Sequence, residues 1–304
     1  MRVTHLSASS YDSFSHCNFK YYLNYILHVP DSSGASALLG SIYHKWSELL
    51  SIMKLVNHDP NSKYWNTDLL FKIVYDSMTQ KDPVAASGIK KDKLKTIEKG
   101  MDWLLDSPYS PLKAETYGVE VPFNIVLNDK GFEIPKAFGS QEKGLILRGY
   151  IDRVDFVQGH PEILEIIDLK TGSRSDFDSK DRKKKGAEEL KRMIQPRVYH
   201  LCMSRMFPQI KQFIVTFLFV CDGGPVSIIM TEEDLPETLE MIRRRLSTIK
   251  AMNEPIPNRS WKCKCLCSYE KTGECRSIEN SIKEFGYKFV ENQASIMNPP
   301  KKRR

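Results

Sequence analysis

Two aspartates and a lysine occupy positions that a β-hairpin would bring together. The runs 145–157 and 162–170 are rich in β-branched and aromatic residues, and a Gly-His-Pro sequence separates them, which predicts two paired strands and a short turn. With the turn centred on the histidine, Asp152 lies opposite Asp168, and opposed residues have Cβ atoms about 5 Å apart. Lys170 shares their face because side chains alternate along a strand.

This combination suits the hydrolysis of a phosphodiester. The reaction needs a polarised phosphate, a deprotonated water and a shielded leaving oxygen, and a divalent metal ion can assist with all three. Carboxylate oxygens lie about 2.1 Å from Mg²⁺, so one hydrated ion can bridge Asp152 and Asp168. Lys170 can then hold the attacking water and stabilise charge on the phosphorus.

The same residues could instead be ordinary surface ions. In that interpretation Asp152 and Asp168 pair with Arg153 and Lys170 at the end of a hairpin. The flanking runs are apolar on both faces, however, as in a buried central sheet, and a buried acid or lysine needs a partner or a metal. The pattern therefore favours a metal-dependent site.

These motifs, taken in order, resemble a known family. G-x-x-D-R-x-D at 149–155, I-x-D-x-K-T-G at 166–172 and Q-x-x-x-Y at 195–199 are similar to the PD-(D/E)XK nucleases of the RecB exonuclease type, and the ordered set spans residues 6–275. The resemblance implies a metal-dependent deoxyribonuclease with Mg²⁺ or Mn²⁺ as its cofactor. The catalytic residues that it implies are Asp152, Asp168, Lys170, Gln195 and Tyr199.

Further metal ligands follow from the same resemblance. His44, at the end of GSIYH, fits the family's G-x-x-x-H element, in which the histidine approaches the metal opposite the acids. Imidazole beside carboxylates would favour Mn²⁺ along with Mg²⁺, although a lone histidine on such a helix is usually structural. Glu120, on a strand leading to the same sheet, could face the metal or the substrate, or could pair with a basic residue of a neighbouring strand. The predicted metal site comprises His44, Glu120, Asp152 and Asp168.

Gln195 and Tyr199 are four residues apart and share a helix face. A polar pair at this spacing is common in helices and carries little information alone. In the resembled family such a pair orients the catalytic lysine or the DNA backbone by hydrogen bonding.

The cysteines indicate a metal or a cluster. The chain has seven, an odd number, with four of them within 263–275, which does not fit an extracellular disulfide framework. The group resembles the C-terminal cysteines of iron–sulfur RecB-type nucleases and of the related CRISPR adaptation nucleases, where one N-terminal cysteine completes the ligand set. The resemblance therefore implies a [4Fe–4S] cluster held by Cys17, Cys267, Cys275 and either Cys263 or Cys265. The spacing C-x-C-x-C departs from the family's C-x-x-C, and four local cysteines could instead hold structural Zn²⁺ without Cys17.

Composition sets wider limits. The chain has 304 residues, of which 41% are hydrophobic, enough for one large or two small domains. Its net charge of +7 and sequence pI near 8.9 suit a polyanionic partner without proving one. No apolar run reaches the length of a membrane span and the N-terminus lacks a signal-peptide pattern, so we expect a soluble, intracellular protein. Cys202 and Cys221 lie in apolar runs and are predicted core thiols.

The order of predicted elements indicates an α/β protein with a mixed sheet. Helices are expected at 9–28, 40–56, 67–80, 91–106, 196–207 and 231–251, and strands at 116–127, 144–157, 162–170, 211–221 and 225–230. This order predicts a restriction-endonuclease-like central sheet flanked by helices. We expect one nuclease domain over 1–285, with a helical insertion at 41–110 and a cysteine-rich region at 255–280.

Two charged segments have less defined roles. Residues 174–192 predict a loop or a loosely held helix, which is either a basic flap beside the active site or a solvated connection. Residues 286–304 end in NPPKKRR and predict a disordered basic tail. The tail could act as a nuclear localisation signal only if the source is eukaryotic.

The most consistent interpretation is a DNA exonuclease acting on single-stranded ends in recombination, repair or replication, with proteins of those pathways as candidate partners. A DNA-binding or adaptor subunit without catalysis is the alternative, and the intact Asp152, Asp168 and Lys170 argue against it. A third interpretation is a zinc-bearing structural module with a coincidental D-x-K. We expect a cytoplasmic location in a bacterium or in a phage-infected host.

Overall fold

The structure is a computed structural model that describes residues 3, 5–32, 34–134, 144–174, 182–260, 262–263 and 267–286. Residues 287–304 of the predicted tail, residues 175–181 of the charged segment and Cys265 lie outside the described residues. The chain divides into two compact units. The terminal unit comprises Met1–Val3, Ser9–Ser32 and Arg245–Arg304, and the sheet unit comprises Thr4–Ala8 and Ser33–Arg244. The expectation of one domain over 1–285 stays a prediction.

One mixed sheet organises the sheet unit. Its strands are β1 (His5–Leu6), β2 (Thr116–Leu127), β3 (Leu145–Val157), β4 (His160–Lys170), β5 (Gln212–Phe219) and β6 (Gly224–Thr231). In the described part of the chain the order is β1-β3-β4-β5-β6, with β2 also paired to β3. The strands β2, β3 and β4 form an antiparallel meander, β5 runs parallel to β4, and β6 returns antiparallel to β5. The predicted α/β fold with a mixed sheet is therefore confirmed, and β1, which is parallel to β3, is an unpredicted addition.

Helices precede and follow the strands along the chain. Those before β2 are α1 (Ala8–His16), α2 (Asn18–Tyr21), α3 (Ala35–Leu55), α4 (Thr67–Lys81), α5 (Pro83–Ser87) and α6 (Lys91–Asp106), and those after β4 are α7 (Arg182–Arg192), α8 (Ile194–Met206), α9 (Leu235–Ala251), α10 (Ser268–Thr272) and α11 (Ser277–Phe285). The charged segment thus contains a helix. Among the described residues, no helix has the length and apolar character needed to cross a membrane.

The helix α3 is fixed by its apolar face. Ile42, Trp46 and Leu50 recur at helical spacing and are fully buried. They belong to a core cluster that includes residues of α4 and α6 and also Ile167 and Leu218 of the sheet. The indole Nε1 of Trp46 donates a hydrogen bond of 3.1 Å to a carbonyl at the start of α4. The helices α3, α4 and α6 therefore cover one face of the sheet.

The helix α8 covers the opposite face at β4. Ile167 and Leu169 pack in the core cluster under α3, whereas Asp168 between them contacts side chains of α8. Alternate residues of a strand point to opposite faces, so the two helical layers lie on different sides of β4. The acid of the D-x-K motif therefore faces α8.

The hairpin β3–β4 turns earlier than predicted. The strand β4 begins at His160, so the turn is at residues 158–159 and is not centred on His160. A bulge between Phe156 and Val157 takes up the difference, and Arg153 pairs with Ile167. The next positions along this register are Asp152 and Asp168, as the sequence predicted.

The terminal unit is built from both ends of the chain. Tyr269 donates a hydrogen bond of 2.7 Å to the carbonyl of Val29, and the amide of Ile256 donates to Oδ1 of Asn18 at 2.9 Å. The predicted single helix at 9–28 is wrong, because Cys17 has extended backbone angles (φ −161°, ψ 111°) and separates α1 from α2. Its Sγ atom accepts a hydrogen bond from the amide of Lys20 and so caps α2.

Candidate active site

The side chain of Asp152 on β3 is fixed by a contact with β4. The carboxylate Oδ2 of Asp152 accepts a hydrogen bond of 2.8 Å from the backbone amide of Leu169. Gly149, three residues earlier in the G-x-x-D motif, has the ring of Phe123 across it, and a Cβ atom there would lie 2.6 Å from that ring. A side chain at this position would displace Phe123, which also makes an edge contact with Tyr199.

Asp168 lies at the centre of a hydrogen-bonded network on β4 and α8. Its Oδ1 accepts hydrogen bonds from Nε2 of Gln195 at 2.6 Å and from the hydroxyl of Tyr199 at 3.2 Å. Its Oδ2 forms an ion pair of 2.5 Å with Nζ of Lys170. Gln195 completes the ring, because its Oε1 accepts from Lys170 at 3.1 Å and its Nε2 donates to Tyr199 at 2.7 Å.

The lysine has one further neighbour that the sequence did not indicate. Nζ of Lys170 lies 4.5 Å from the centre of the Phe217 ring, an arrangement that attracts a cation to the ring face. Asp168, Gln195 and Phe217 together restrict where the ammonium group can point. Lys170 keeps 30% of its side chain exposed, so it can still reach a bound substrate.

A second group of ligand atoms lies on the other side of Asp152. Nδ1 of His44 is 3.4 Å from Oδ2 of Asp152. Ligand atoms of His44, Glu120 and Asp152 all lie within 4.8 Å of one another. One imidazole and two carboxylates at this spacing are a donor set that divalent ions such as Mg²⁺ and Mn²⁺ accept. These three residues could therefore hold a divalent metal ion.

Two backbone positions near this group are sterically unusual. Gly40, one helical turn before His44, lies against the hydroxyl of Thr171, where a Cβ atom would be 3.2 Å from Oγ1. A side chain at Gly40 would require the Thr171 side chain to shift by a few tenths of an ångström. Glu120 itself has a left-handed backbone conformation (φ 46°) inside β2, which costs energy for a non-glycine residue. The strain accompanies a carboxylate that is directed at the other two ligands.

The electrostatics of the site favour a bound cation. Burial raises the pKa of Asp168, and the charge of Lys170 only partly offsets this. Burial and the nearby charge of Asp152 also raise the pKa of Glu120. Burial lowers the pKa of His44, but the hydrogen bond and the charge of Asp152 outweigh it and leave the pKa raised. A divalent cation would stabilise the charged carboxylates and so relieve these costs.

The site opens onto a groove beside α3. The groove has a volume of about 880 Å³, and its lining includes His44, Glu120, Lys45, Glu48 and Lys81. Lys45 forms a 2.7 Å ion pair with Glu48. A chain of phosphates could therefore reach the His44 group from the solvent. Lys45, Glu48 and Phe217 were absent from the predicted site. Lys45 and Glu48 follow His44 closely, but a charged pair three residues apart is common on an exposed helix face and carries no signal for a site. Phe217 lies in an apolar strand, where an aromatic residue predicts only the core.

The structure brings all the predicted residues of this site into one neighbourhood, divided into two groups. Asp168, Lys170, Gln195 and Tyr199 form the hydrogen-bonded network, and His44, Glu120 and Asp152 form the ligand group. Asp168 was predicted as a metal ligand as well. In the structure its described partners are the three side chains of the network, so its metal role stays a prediction.

The predicted cluster cysteines lie in the terminal unit around one cavity. Cys17, Cys263, Cys267 and Cys275 all line a cavity of about 490 Å³. The amide of Asn258 donates to Sγ of Cys17 at 3.4 Å. Burial raises the pKa of Cys275 to about 12 and also raises that of Cys267. Within the described ranges no three cysteine sulfurs come within 4.8 Å of one another.

The other two cysteines are separate from this cavity. Cys202 is fully buried, in agreement with the predicted core thiol. Cys221 is half-buried and packs against the core cluster under α3. Burial raises its pKa to about 11.

Comparison with known proteins bears on the family of the chain. The profile of the PD-(D/E)XK nuclease superfamily matches residues 5–272. Among solved structures, the chain is similar to a protein described as "Putative exonuclease" from Eubacterium rectale, with 18% sequence identity, a TM-score of 0.49 and 88% of each chain covered. It is also similar to the protein SSO0001, with 13% identity, a TM-score of 0.31, and coverage of 78% of this chain and 93% of that one. No curated protein matches the chain.

Both TM-scores are below 0.5, so the assignment depends on the family match and on the site that the match spans. The match includes the helix that carries His44, both strands of the hairpin, and the helix that carries Gln195 and Tyr199. The chain therefore belongs to the PD-(D/E)XK nuclease superfamily, a family of metal-dependent nucleases.

Proposed function

We propose that this protein is a DNA nuclease that degrades single-stranded DNA from an end. The observation that supports it best is the network of Lys170, Asp168 and Gln195 beside the ligand group of His44, Glu120 and Asp152. The preference for single-stranded ends follows from the resemblance to RecB-type exonucleases. A role in recombination, repair or replication follows from the same resemblance.

The metal ion would be Mg²⁺ or Mn²⁺, held by His44, Glu120 and Asp152, with Asp168 as a further ligand. When bound, it would polarise the phosphate and lower the pKa of a coordinated water. Because one of the three donors is an imidazole, Mn²⁺ should be accepted along with Mg²⁺.

The residues of the chain have distinct tasks in this scheme. Lys170 holds the attacking water by hydrogen bonding and places positive charge beside the phosphate oxygens. Gln195 fixes the position of that lysine through Oε1 and the position of Asp168 through Nε2. Tyr199 keeps its proton because burial and the charge of Asp168 raise its pKa well above 10, so it donates to Asp168 rather than acting as a base.

Digestion of end-labelled DNA tests this function. The substrates are single-stranded oligonucleotides labelled at the 5′ or the 3′ end, incubated with Mg²⁺ or Mn²⁺. Release of short labelled products from one label and a ladder from the other would establish exonuclease action and its direction. Cleavage within a circular single strand would show endonuclease action, and no metal-dependent cleavage of any substrate would contradict the proposal.

A catalytically silent DNA-binding subunit is the alternative. In that case the network around Lys170 would have no catalytic role. Each of its four side chains nevertheless has a specific hydrogen-bond partner. Such a subunit should bind DNA without cleaving it in either metal.

We also propose that the cavity of the terminal unit holds a [4Fe–4S] cluster. Cys17, Cys263, Cys267 and Cys275 line one cavity, so the N-terminal cysteine lies beside the three C-terminal ones. A zinc site built from the local cysteines alone would not need Cys17, whereas the cluster of the resembled nucleases uses one N-terminal cysteine. The position of Cys17 therefore supports a cluster. Cys265 stays an alternative to Cys263 as the fourth ligand.

Purification without oxygen tests the cluster. The protein should be brown and should contain iron and acid-labile sulfide, and Cys17→Ser or Cys275→Ser should lose both. Cys221→Ser is the matched control, because this half-buried cysteine is outside the cavity and should keep a full complement of iron. If the protein contains only zinc, or if Cys17→Ser keeps its full metal content, the cysteines form a local zinc site and the cluster proposal is wrong.

A further inference from the structure

One face of the β2–β3 ladder is exposed to solvent next to the ligand group. Pro122 pairs with Tyr150 and Asn124 pairs with Arg148, and all four side chains are exposed. The residues that alternate with them, such as Ile151 at 0% exposure, are buried. We call the side chains of Pro122, Asn124, Arg148 and Tyr150 the open face. Helical layers cover other parts of the sheet but leave this patch accessible.

The open face presents an aromatic ring that stability does not explain. Tyr150 is 63% exposed, in contrast to Phe123 on the neighbouring strand, which is 4% exposed. Its position is two residues before Asp152 on the same strand. Two strand residues span about 7 Å, so the ring lies within about one nucleotide of the ligand group.

The charge of the open face is positive. Nη2 of Arg148 donates a hydrogen bond of 2.7 Å to Nε2 of His5 on β1, which is therefore an acceptor. Among the described residues the side-chain partner of Arg148 is the imidazole of His5, and none of their carboxylates pairs with it. An exposed guanidinium suits a phosphate.

From these observations we propose that the open face binds the nucleotide next to the scissile phosphate, with a base stacked on Tyr150 and a phosphate on Arg148. This inference rests on the proposed nuclease function and adds the residues that recognise the strand. The occupant is a single strand, because bases in a duplex are already stacked on both sides and cannot cover an aromatic ring. An exposed aromatic ring beside a cation is the arrangement by which proteins hold single-stranded nucleic acid without reading its sequence.

Binding of DNA that contains single abasic sites tests the proposal. Fluorescence anisotropy with labelled oligothymidylate is measured in EDTA, so that no hydrolysis is needed, and the abasic site is moved through each position. For the wild-type protein one position should weaken binding by about tenfold. Tyr150→Ala should weaken binding of intact DNA by the same factor and should lose no further affinity at that position. Tyr150→Trp should restore the abasic effect.

Controls separate stacking from folding and from general charge. Phe156→Ala removes another exposed aromatic ring from β3, on the far side of Asp152, and should bind as the wild type does. Tyr150→Thr keeps a good strand former at the position and should repeat the Tyr150→Ala result. Arg148→Gln should reduce the slope of log Kd against log salt concentration by about 0.7.

The outcomes distinguish this inference from the nuclease function. Metal-dependent cleavage by the wild type together with unchanged binding by Tyr150→Ala would contradict the proposed DNA-binding role of the open face and leave the nuclease function intact. A position-specific abasic effect without any cleavage would support base stacking on the open face and contradict the nuclease function. Equal losses in Tyr150→Ala and Phe156→Ala would also reject a specific stacking role.

Discussion

Two groups of charged side chains lie close together on β3 and β4 and differ in what surrounds them. The group around Asp152 and Asp168 adjoins an open groove and contains side chains from helices on both faces of the sheet. The second group, which we call the sealed group, consists of Arg153, Asp155 and Glu165. Arg153 is 2% exposed and Asp155 is 6% exposed. The motif G-x-x-D-R-x-D contains members of both groups, so residue type alone does not separate them.

The sealed group has its partners inside the protein. Arg153 forms a 2.9 Å ion pair with Asp155 and donates to the carbonyl of Tyr109 at 2.9 Å. Glu165, which pairs with Asp155 in the strand register, accepts a hydrogen bond of 2.5 Å from Thr216. Burial raises the pKa of Asp155 and of Glu165, and Arg153 partly offsets this for Asp155. A perturbed carboxylate is therefore not enough to mark a catalytic site. Burial of the acid does not separate the groups either, because Asp168 is only 3% exposed. The first group differs in that His44 and Glu120 line the groove and Lys170 keeps 30% of its side chain exposed.

The largest expected effect is on catalysis. Asp168→Ala or Lys170→Ala should lower nuclease turnover by about 10³-fold or more, because each removes a charge that the reaction depends on. DNA binding should be largely kept, since phosphate affinity comes from dispersed Lys and Arg side chains. The rate is measured with end-labelled single strands. Glu165→Gln in the sealed group is the control and should retain turnover; normal turnover by Asp168→Ala would contradict the site.

Substitutions in the sealed group should change the stability of the protein rather than its turnover. Arg153→Met leaves Asp155 buried without its partner and should lower the free energy of unfolding by about 3–5 kcal/mol. Adding Asp155→Leu should recover most of this loss, because an apolar pair can replace a buried ion pair. Urea denaturation measures both variants, and turnover per folded molecule should be unchanged. A stable Arg153→Met protein would show that the ion pair is solvated and the group is not sealed.

His44 should control the requirement for metal. His44→Ala should raise the metal concentration for half-maximal activity by about 10- to 100-fold and change the ratio of Mn²⁺ to Mg²⁺ activity, as loss of a ligand does. The raised pKa of His44 means that a proton competes with the metal at higher pH than usual. The metal requirement of the wild type should therefore increase as the pH falls through neutrality. An identical metal and pH dependence in His44→Ala would make the histidine structural.

The smallest expected effect is at Tyr199. Tyr199→Phe removes one hydroxyl that donates to Asp168 at 3.2 Å and accepts from Gln195 at 2.7 Å. Gln195 Nε2 keeps Asp168 as its acceptor, so the main loss is the bond from Tyr199 to Asp168. A hydrogen bond is worth about 0.5–1.5 kcal/mol, so turnover should fall by roughly 2- to 13-fold. The edge contact with Phe123 is kept in the variant, which separates the hydroxyl from packing. A loss as large as that of Lys170→Ala would indicate that the tyrosine takes part directly.

Much of the fold could be predicted because its signals are local. The apolar face of α3 and the alternating strands repeat within a few residues, and the predicted helices near 40–56, 67–80 and 91–106 are confirmed. The predicted strands near 116–127 and 144–157 are confirmed as well. Two predictions were wrong because of one local feature each. The predicted helix at 9–28 is interrupted at Cys17, whose sulfur caps α2. The predicted turn of the hairpin is shifted by a bulge between Phe156 and Val157.

The sequence by itself determined which residues could do the chemistry, since the motif order and the alternation of a strand place Asp152, Asp168 and Lys170 near one another. Only the tertiary structure decided how they are grouped. The ligand atoms of His44 on α3 and of Glu120 on β2, which has a left-handed backbone conformation, come close to Asp152. Such contacts join residues that are far apart in the chain, and their distances depend on packing across the whole core, which no local period records.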